Sequence, residues 1–291
     1  MLKKNYIEKM YKKYLAIEDL QKLLDINGIV NFLVKKDEII FNFRNKLKFI
    51  IKKIDKRIFP IELMNFGEYE TLIENFILKK IKLKNVIFDV GANHGFYSMM
   101  LKLKNPKSKI YAFEPVVDTF LTLKNNHKIN KLKNELFNFG FHEKKMTSKI
   151  FFDPRNSAAA SIKNTQKVNT YEEIKLDTID NFVSKKKIKV IDLIKCDVEG
   201  AEYFVFKGAK KTIQNYKPII ICEILRKFCK VYKYKPNDII INLKLYNYRC
   251  FQFEKNIVRE INSITNKTLP TNFLFLHNKK HAQIIKNLKN K

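Results

Sequence analysis

The chain has 291 residues, enough for one full-sized domain with a modest extension, and its 45% hydrophobic content can build the core. The formal net charge of +29 comes almost wholly from lysine, with arginine only at positions 44, 57, 155, 226, 249 and 259. A chain so short of the residue that makes bidentate phosphate and base contacts is not read as a nucleic-acid binder, although its charge favours anionic partners in general.

Residues 5–26 carry Ile7, Met10, Tyr11, Tyr14, Leu15, Leu20, Leu23 and Leu24 at helical spacing. The spacing predicts a helix with one apolar face, read as packing on the main domain in preference to a membrane surface, with peripheral membrane contact left open. The apolar runs Ile29–Val34 and Ile39–Phe43, separated by Lys35-Lys36-Asp37-Glu38, read as a β-hairpin. Residues 1–62 are therefore expected to form a helix-and-hairpin extension, and residues 63–291 the main domain. A second amphipathic helix is expected from Leu63 to Leu83.

The next stretch is chemically loaded. Asn85-Val-Ile-Phe-Asp-Val-Gly-Ala-Asn-His-Gly95 is a hydrophobic strand ending in Asp89, a glycine-bearing loop and the start of a helical pattern. Residues 109–113 read as a second strand, closed by Glu114. This is how a doubly wound α/β domain holds a nucleoside-bearing cofactor at the carboxyl ends of its strands. The spacing Gly91-x-x-x-Gly95 differs from the G-x-G-x-x-G of dinucleotide folds. A carboxylate at Asp89, aimed into the loop, would repel a pyrophosphate. S-adenosylmethionine carries an ammonium and a sulfonium instead, and Glu114 sits where an acid accepts hydrogen bonds from both ribose hydroxyls.

Strands are expected at 86–90, 109–113, 135–139, 190–196, 218–223, 248–253 and 272–277, and helices at about 96–104, 117–129, 202–214 and 237–246. Such alternation implies an α/β fold with a mostly parallel seven-stranded sheet, helices on both faces and an antiparallel last strand. Residues 149–176 interrupt the alternation with two β-like segments around a small-residue loop, Asn156-Ser-Ala-Ala-Ala-Ser161, read as an insertion near the mouth of the site.

The second loaded stretch is Ile191-Asp-Leu-Ile-Lys-Cys-Asp-Val-Glu-Gly-Ala-Glu202. It reads as strand four of the sheet, beside strand one, so Asp197 closes a strand at the border of the cofactor crevice. Methyl transfer needs an aligned nucleophile and a group that takes or tolerates its proton, and Asp197 is the candidate for that role. Glu199, Glu202 and Glu223 are weaker candidates for substrate contact, and metal dependence is left open. The four cysteines, at 196, 222, 229 and 250, contain no Cys-x-x-Cys pair, which argues against a zinc site and for a reducing compartment. With no run of eighteen apolar residues and no signal-peptide pattern, the expected location is cytoplasmic.

Taken together, Gly67-Glu-Tyr-Glu70, Asp89-Val-Gly-Ala-Asn-His-Gly95, Phe113-Glu-Pro115, Leu176-Asp-Thr-Ile-Asp180, Ile194-Lys-Cys-Asp-Val-Glu-Gly-Ala-Glu202 and Lys207-Gly208-Ala209 resemble the FkbM-type S-adenosylmethionine-dependent methyltransferases. The resemblance covers roughly residues 65–277. It implies a class I methyltransferase, Rossmann-like fold and O-methylation of a sugar or natural-product hydroxyl, with a glycan or its precursor as acceptor. It also implies cofactor contacts from Asp89, Gly91, Asn93, Gly95 and Glu114, an adenine flanked by residues from Asn138 to Gly140, and Asp197 beside the reacting methyl. Phe139-Gly-Phe-His142 departs from the family's usual small-residue run. The alternatives are a nucleic-acid methyltransferase, favoured by charge alone, and a non-catalytic glycan-biosynthesis accessory protein. Oligomeric state is not legible in the sequence.

Overall fold

The computed structural model describes residues 2–69, 73, 86–254 and 257–289. The chain divides into two compact units, Met1–Tyr69 and Glu70–Lys291.

The first unit opens with helix α1 (Leu2–Ile26), followed by strands β1 (Ile29–Val34), β2 (Glu38–Phe43) and β3 (Lys48–Lys52) and helix α2 (Phe59–Phe66). The three strands form one antiparallel sheet in the order β1-β2-β3, so the expected hairpin has a third strand. Its residues, Phe49-Ile50-Ile51, are a buried apolar run whose signal sits close behind the turn. Phe59 packs against Phe43 and Phe49, with ring centroids 5.4 and 5.0 Å away. Gly67 then ends α2 in a left-handed conformation that spares a side chain, its N–H bonded to the Leu63 carbonyl. Of the helix expected over Leu63–Leu83, the first residues thus belong to the end of α2, and all the rest but Ile73 and residues 67–69 lies outside the described residues.

The second unit is built on β4 (Val86–Val90), α3 (Phe96–Lys104), β5 (Lys109–Phe113), α4 (Val117–Ile129) and β6 (Glu135–Phe137). An insertion follows: β7 (Gly140–Phe141), β8 (Met146–Asp153), β9 (Asn156–Ser161) and β10 (Tyr171–Asp177). Then come α5 (Ile179–Lys185), β11 (Leu193–Cys196), α6 (Glu202–Lys207), α7 (Lys210–Tyr216), β12 (Ile219–Glu223), α8 (Arg226–Val231) and α9 (Pro236–Lys244). Strands β13 (Tyr248–Glu254), β14 (Ile257–Ile261) and β15 (Asn272–His277) and helix α10 (Ala282–Lys289) complete it. The main sheet has the order β14-β13-β15-β12-β11-β4-β5-β6. Strands β4, β5, β6, β11 and β12 pair in parallel, and β15 inserts antiparallel between β12 and β13. This is the class I methyltransferase, Rossmann-like arrangement that the sequence implies. It carries one addition, the edge strand β14, which folds back antiparallel on β13.

The core explains the strand order. Every residue of β4 and β11 is buried, the charged Asp89 and Lys195 included, as befits strands in the middle of a parallel sheet covered on both faces. Phe88, Tyr111, Phe113, Phe137, Phe141 and Phe182 form one aromatic cluster between the sheet and α5, with Phe113 and Phe141 centroids 4.5 Å apart. The helix expected over 202–214 is broken into α6 and α7 at Gly208. A side chain there would start 2.2 Å from the His142 carbonyl oxygen. The small-residue segment Asn156–Ser161, expected as a loop, is strand β9, paired with β8 in a separate four-stranded sheet, β7-β10-β8-β9. Between β10 and β11 a further short helix, α5, is capped by Thr178. All four cysteines are buried and free.

Candidate functional site

In the main sheet β4 and β11 are neighbours, and the chain leaves them in opposite directions: β5 and β6 lie to one side, β12 to the other. The loops after these two strands meet at a topological switch point, where open α/β sheets bind ligands.

The glycine loop is shaped by close packing. Gly91 has φ +78°, and a Cβ there would stand 1.8 Å from the Asp197 carbonyl oxygen. The Asp197 N–H donates to the Val90 carbonyl at 3.0 Å. The loop after β4 and the residue ending β11 are thus pressed backbone to backbone. Gly95 has φ +94°, and a Cβ there would lie 2.5 Å from Leu123 on α4. Asn93 adopts a left-handed φ of 49°, a conformation asparagine tolerates better than most residues. Glu114 ties this loop to β5. Its Oε2 accepts the Asn93 N–H at 3.0 Å and its Oε1 the Val116 N–H at 2.9 Å. Burial nevertheless raises the Glu114 carboxyl to about 7, against the pull of those two N–H donors.

Asp89 is fully buried beneath the loop. Ser98 is the nearest source of hydrogen-bond donors to its oxygens, through its backbone N–H and its hydroxyl. Burial raises its carboxyl to about 6, and the Lys195 ammonium and Ser98 hold it down from going higher. Lys195 stands opposite Asp89 in the β4–β11 register. It is itself buried, lies over the Tyr97 ring with Nζ 4.6 Å from the centroid, and donates to Asp197 Oδ2 at 2.8 Å. One lysine therefore serves the two aspartates that the sequence singles out. In the sequence it reads only as an interruption of an apolar strand, yet a charged residue inside such a run was the signal available.

Asp197, Glu199 and Glu223 come together. One carboxylate oxygen of each lies within 4.8 Å of the others, and all three side chains are half-buried. Glu199 takes a left-handed φ of 52°. Burial first, and then the Asp197 and Glu223 charges, push its carboxyl well above the ordinary range. Glu223, at the end of β12, accepts from the Thr271 hydroxyl at 3.0 Å. Such a set of hard oxygen donors is what a divalent cation would use. Glu202, expected with them at the substrate, is not part of this trio among the described residues. It is buried, its Oε1 accepts the N–H groups of Val198 and Gly200 at 3.0 and 3.1 Å, and Tyr234 donates to its Oε2 at 3.3 Å. Its carboxylate closes the turn after β11.

Asn138 is exposed and holds the loop after β5, donating to the Glu114 and Pro115 carbonyls at 2.9 Å each. Gly140 is buried, and a Cβ there would lie 2.9 Å from Leu176. The inserted sheet reaches the site through β9. Ser157 donates to Asn93 Oδ1 at 3.5 Å, and the Ser161 hydroxyl donates to the Glu199 carbonyl at 2.8 Å and meets the Tyr232 hydroxyl at 2.8 Å. The sequence places both serines in a small-residue loop, where nothing marks them as site residues. His94 is buried in the glycine loop. His277 and His281 meet each other, the His277 N–H donating to His281 Nδ1, at the end of β15 away from the site.

The arrangement can do two things chemically. The loop of left-handed glycines and asparagine offers close backbone approach between buried acids, with no lysine or arginine from 89 to 95, which fits a cationic nucleoside ligand and not a phosphorylated one. The half-buried carboxylates beside it can accept protons or hydrogen bonds from hydroxyl groups.

Residues 89–250 match the model of the methyltransferase FkbM domain. Among characterised proteins, the chain is 27% identical over 157 residues to the hexuronic acid methyltransferase AglP of Haloferax volcanii, covering 53% of this chain and 62% of that protein. It is 28% identical over 153 residues to the methyltransferase sdnD of Sordaria araneosa, covering 42% of this chain and 59% of that protein. The chain thus spans about three-fifths of the length of these relatives. Among solved structures, the methyltransferase FkbM from Methylobacillus flagellatus KT overlays with a TM-score of 0.44 at 16% identity, covering 74% of this chain and 52% of that one.

Proposed function

The chain belongs to the FkbM methyltransferase family, and from that premise we propose that it transfers the methyl group of S-adenosylmethionine to a hydroxyl of a sugar in a glycan or a glycan precursor. The observation that carries this reading is the meeting of the acid-lined glycine loop with Asp197, across the contact that Gly91 alone permits.

In this reading Asp89, Gly91, Asn93, Gly95 and Glu114 hold the donor, with Asn138 and Gly140 shaping the wall on the β5–β6 side. When bound, S-adenosylmethionine supplies a methyl group already activated by a sulfonium. The protein's own share is alignment and proton handling. Asp197, held by Lys195, accepts the hydrogen bond of the acceptor hydroxyl and takes its proton as the oxygen becomes the nucleophile. Glu199 and Glu223 accept from neighbouring hydroxyls and so orient a polyol face. Relatives named as methyltransferases, one of them acting on a hexuronic acid, support the choice of a sugar. Glu202 keeps the turn in shape and has no part in the contact.

The test separates binding from turnover. Calorimetry with S-adenosylmethionine and with its demethylated product should show binding that Asp89→Ala weakens strongly. Asp197→Asn should lower turnover on fractionated cell glycans by about 10²–10⁴-fold and leave donor affinity within a few-fold. Equal loss of both in Asp197→Asn would move that residue from proton transfer to donor binding. Wild-type affinity in Asp89→Ala would remove the donor site from this loop.

A further inference from the structure

Helix α1 presents apolar side chains to solvent along most of its length. Every residue from 3 to 17 is exposed. Tyr6, Ile7, Met10, Tyr11, Tyr14 and Ile17 are each more than half exposed. Among the described residues, the ties the helix makes to the rest of its own unit lie at its C-terminal end. Leu24 is buried, the Asn27 side chain donates to the Leu23 carbonyl, and Arg44 pairs with Asp25 at 3.0 Å. The free part is about 22 Å long at 1.5 Å per residue.

At about 100° per residue those six apolar residues fall within an arc of roughly 140°. Lys13 borders the arc on one side and Lys4 on the other, Lys9 and Lys12 lie further round, and Lys3, at the start of the helix, falls inside the arc, where its long stem can carry the ammonium to the headgroups. From residue 3 to residue 17 the helix carries Lys3, Lys4, Lys9, Lys12 and Lys13 against the acid Glu8 alone. Three of the apolar residues are tyrosines, whose amphipathic rings suit the headgroup level of a bilayer.

Two occupants fit an apolar helical face, and the observations separate them. A second copy of α1 would pair through Ile7, Met10, Tyr14 and Ile17 at heptad spacing. The seam then meets Gln21 and the already buried Leu24, so it lasts two heptads, fewer than a coiled coil sustains. The exposed arc is also wider than a two-position seam. A lipid surface uses the whole arc, and the bordering lysines reach anionic headgroups. We infer that residues 3–17 of α1 form an amphipathic segment that lies on an anionic lipid surface. The protein would then work at a membrane face; no helix among the described residues is long and apolar enough to cross a membrane.

The chain has no tryptophan, so Tyr14→Trp places a single reporter on the face in question. The full-length protein is mixed with vesicles of phosphatidylcholine alone and of phosphatidylcholine with phosphatidylglycerol. Sedimentation should show binding to the anionic vesicles only, and the indole emission should shift to shorter wavelength. The charge-preserving variant Ile7→Ser/Met10→Ser/Ile17→Ser should lose at least tenfold in vesicle affinity, and Lys4→Gln/Lys12→Gln/Lys13→Gln should lose affinity for anionic vesicles as well. Donor binding, read in the same samples, should stay unchanged in both, which shows that the variants are folded and keeps the result separate from the methyl-transfer reading. Wild-type vesicle affinity in the serine variant would assign binding to dispersed lysines and overturn the inference. It would equally be overturned by self-association in solution that the serine variant abolishes without any vesicle binding, or by no vesicle binding at all.

Discussion

Lys195 is the residue on which the two acidic clusters depend. Its ammonium lowers the Asp89 carboxyl from one side and holds Asp197 Oδ2 at 2.8 Å on the other. Lys195→Met keeps much of the packed stem and removes the charge that orients Asp197. Turnover should fall by roughly 10²-fold, the cost of a catalytic group misplaced by about 1 Å, while the acceptor KM changes little. Lys195→Arg should recover part of the loss, and a parallel drop in thermal stability without a change in kcat would reduce the residue to a structural counter-ion. A pH dependence follows from the same cluster. Asp89 and Glu114 lie at about 6 and about 7 in the unliganded protein, both raised first by burial. A cationic donor favours their ionised forms, so binding below pH 7 must release protons. Donor affinity should therefore rise as pH increases from 5.5 to about 7.5 and level off above. Calorimetry in buffers of different ionisation enthalpy would show proton release that shrinks to zero at the plateau, and a flat profile would separate these acids from donor binding.

At the level of elements, part of the family pattern turns out to be architecture. Within Leu176-Asp-Thr-Ile-Asp180, two side chains hold the ends of helices. The Thr178 hydroxyl caps α5 by accepting the Asn181 N–H at 3.0 Å. Asp180 accepts from the Lys211 and Thr212 N–H groups and the Thr212 hydroxyl, at 3.0, 2.8 and 2.7 Å, and so fixes the start of α7. Thr178→Ala and Asp180→Ala should each cost about 1–2 kcal/mol, read as a lower denaturant midpoint with an unchanged slope, and leave donor affinity intact. Legibility divides along the same line. Strands β4, β5 and β15 and helices α3 and α4 appear at their expected limits, because continuous apolar runs and 3.6-residue spacing are local signals. Strand β9 was not legible. Asn156-Ser-Ala-Ala-Ala-Ser161 has no β-branched or aromatic residue, and it is a strand because β8 supplies a partner. The site shows the same division. Asp89, Glu114 and Asp197 announce themselves as acids at strand ends. Lys195, Ser157 and Ser161 matter through contacts across the sheet and from the insertion, and no local pattern encodes those.

At the scale of the whole chain, chemistry and extension separate. Asp89, Gly91, Asn93, Gly95, Glu114, Lys195, Asp197, Glu199 and Glu223 all lie within Glu70–Lys291. The first unit has a core of its own, in which Phe41, Phe43, Phe49, Ile51 and Phe59 are buried. A domain with its own core can in principle fold alone. The net charge of +29 is spread as lysine over both units, so removing the first leaves the second still basic. A chain starting at residue 70 should thus bind S-adenosylmethionine within about twofold of the full protein, since the removed unit supplies none of the proposed contacts. Turnover on a soluble sugar acceptor should be similarly retained, whereas turnover on an acceptor presented in anionic vesicles should fall at least tenfold, because α1 is gone. Loss of donor binding in the shortened chain, with its secondary structure intact by circular dichroism, would show that residues 1–69 complete the donor site and would return the extension to the chemistry.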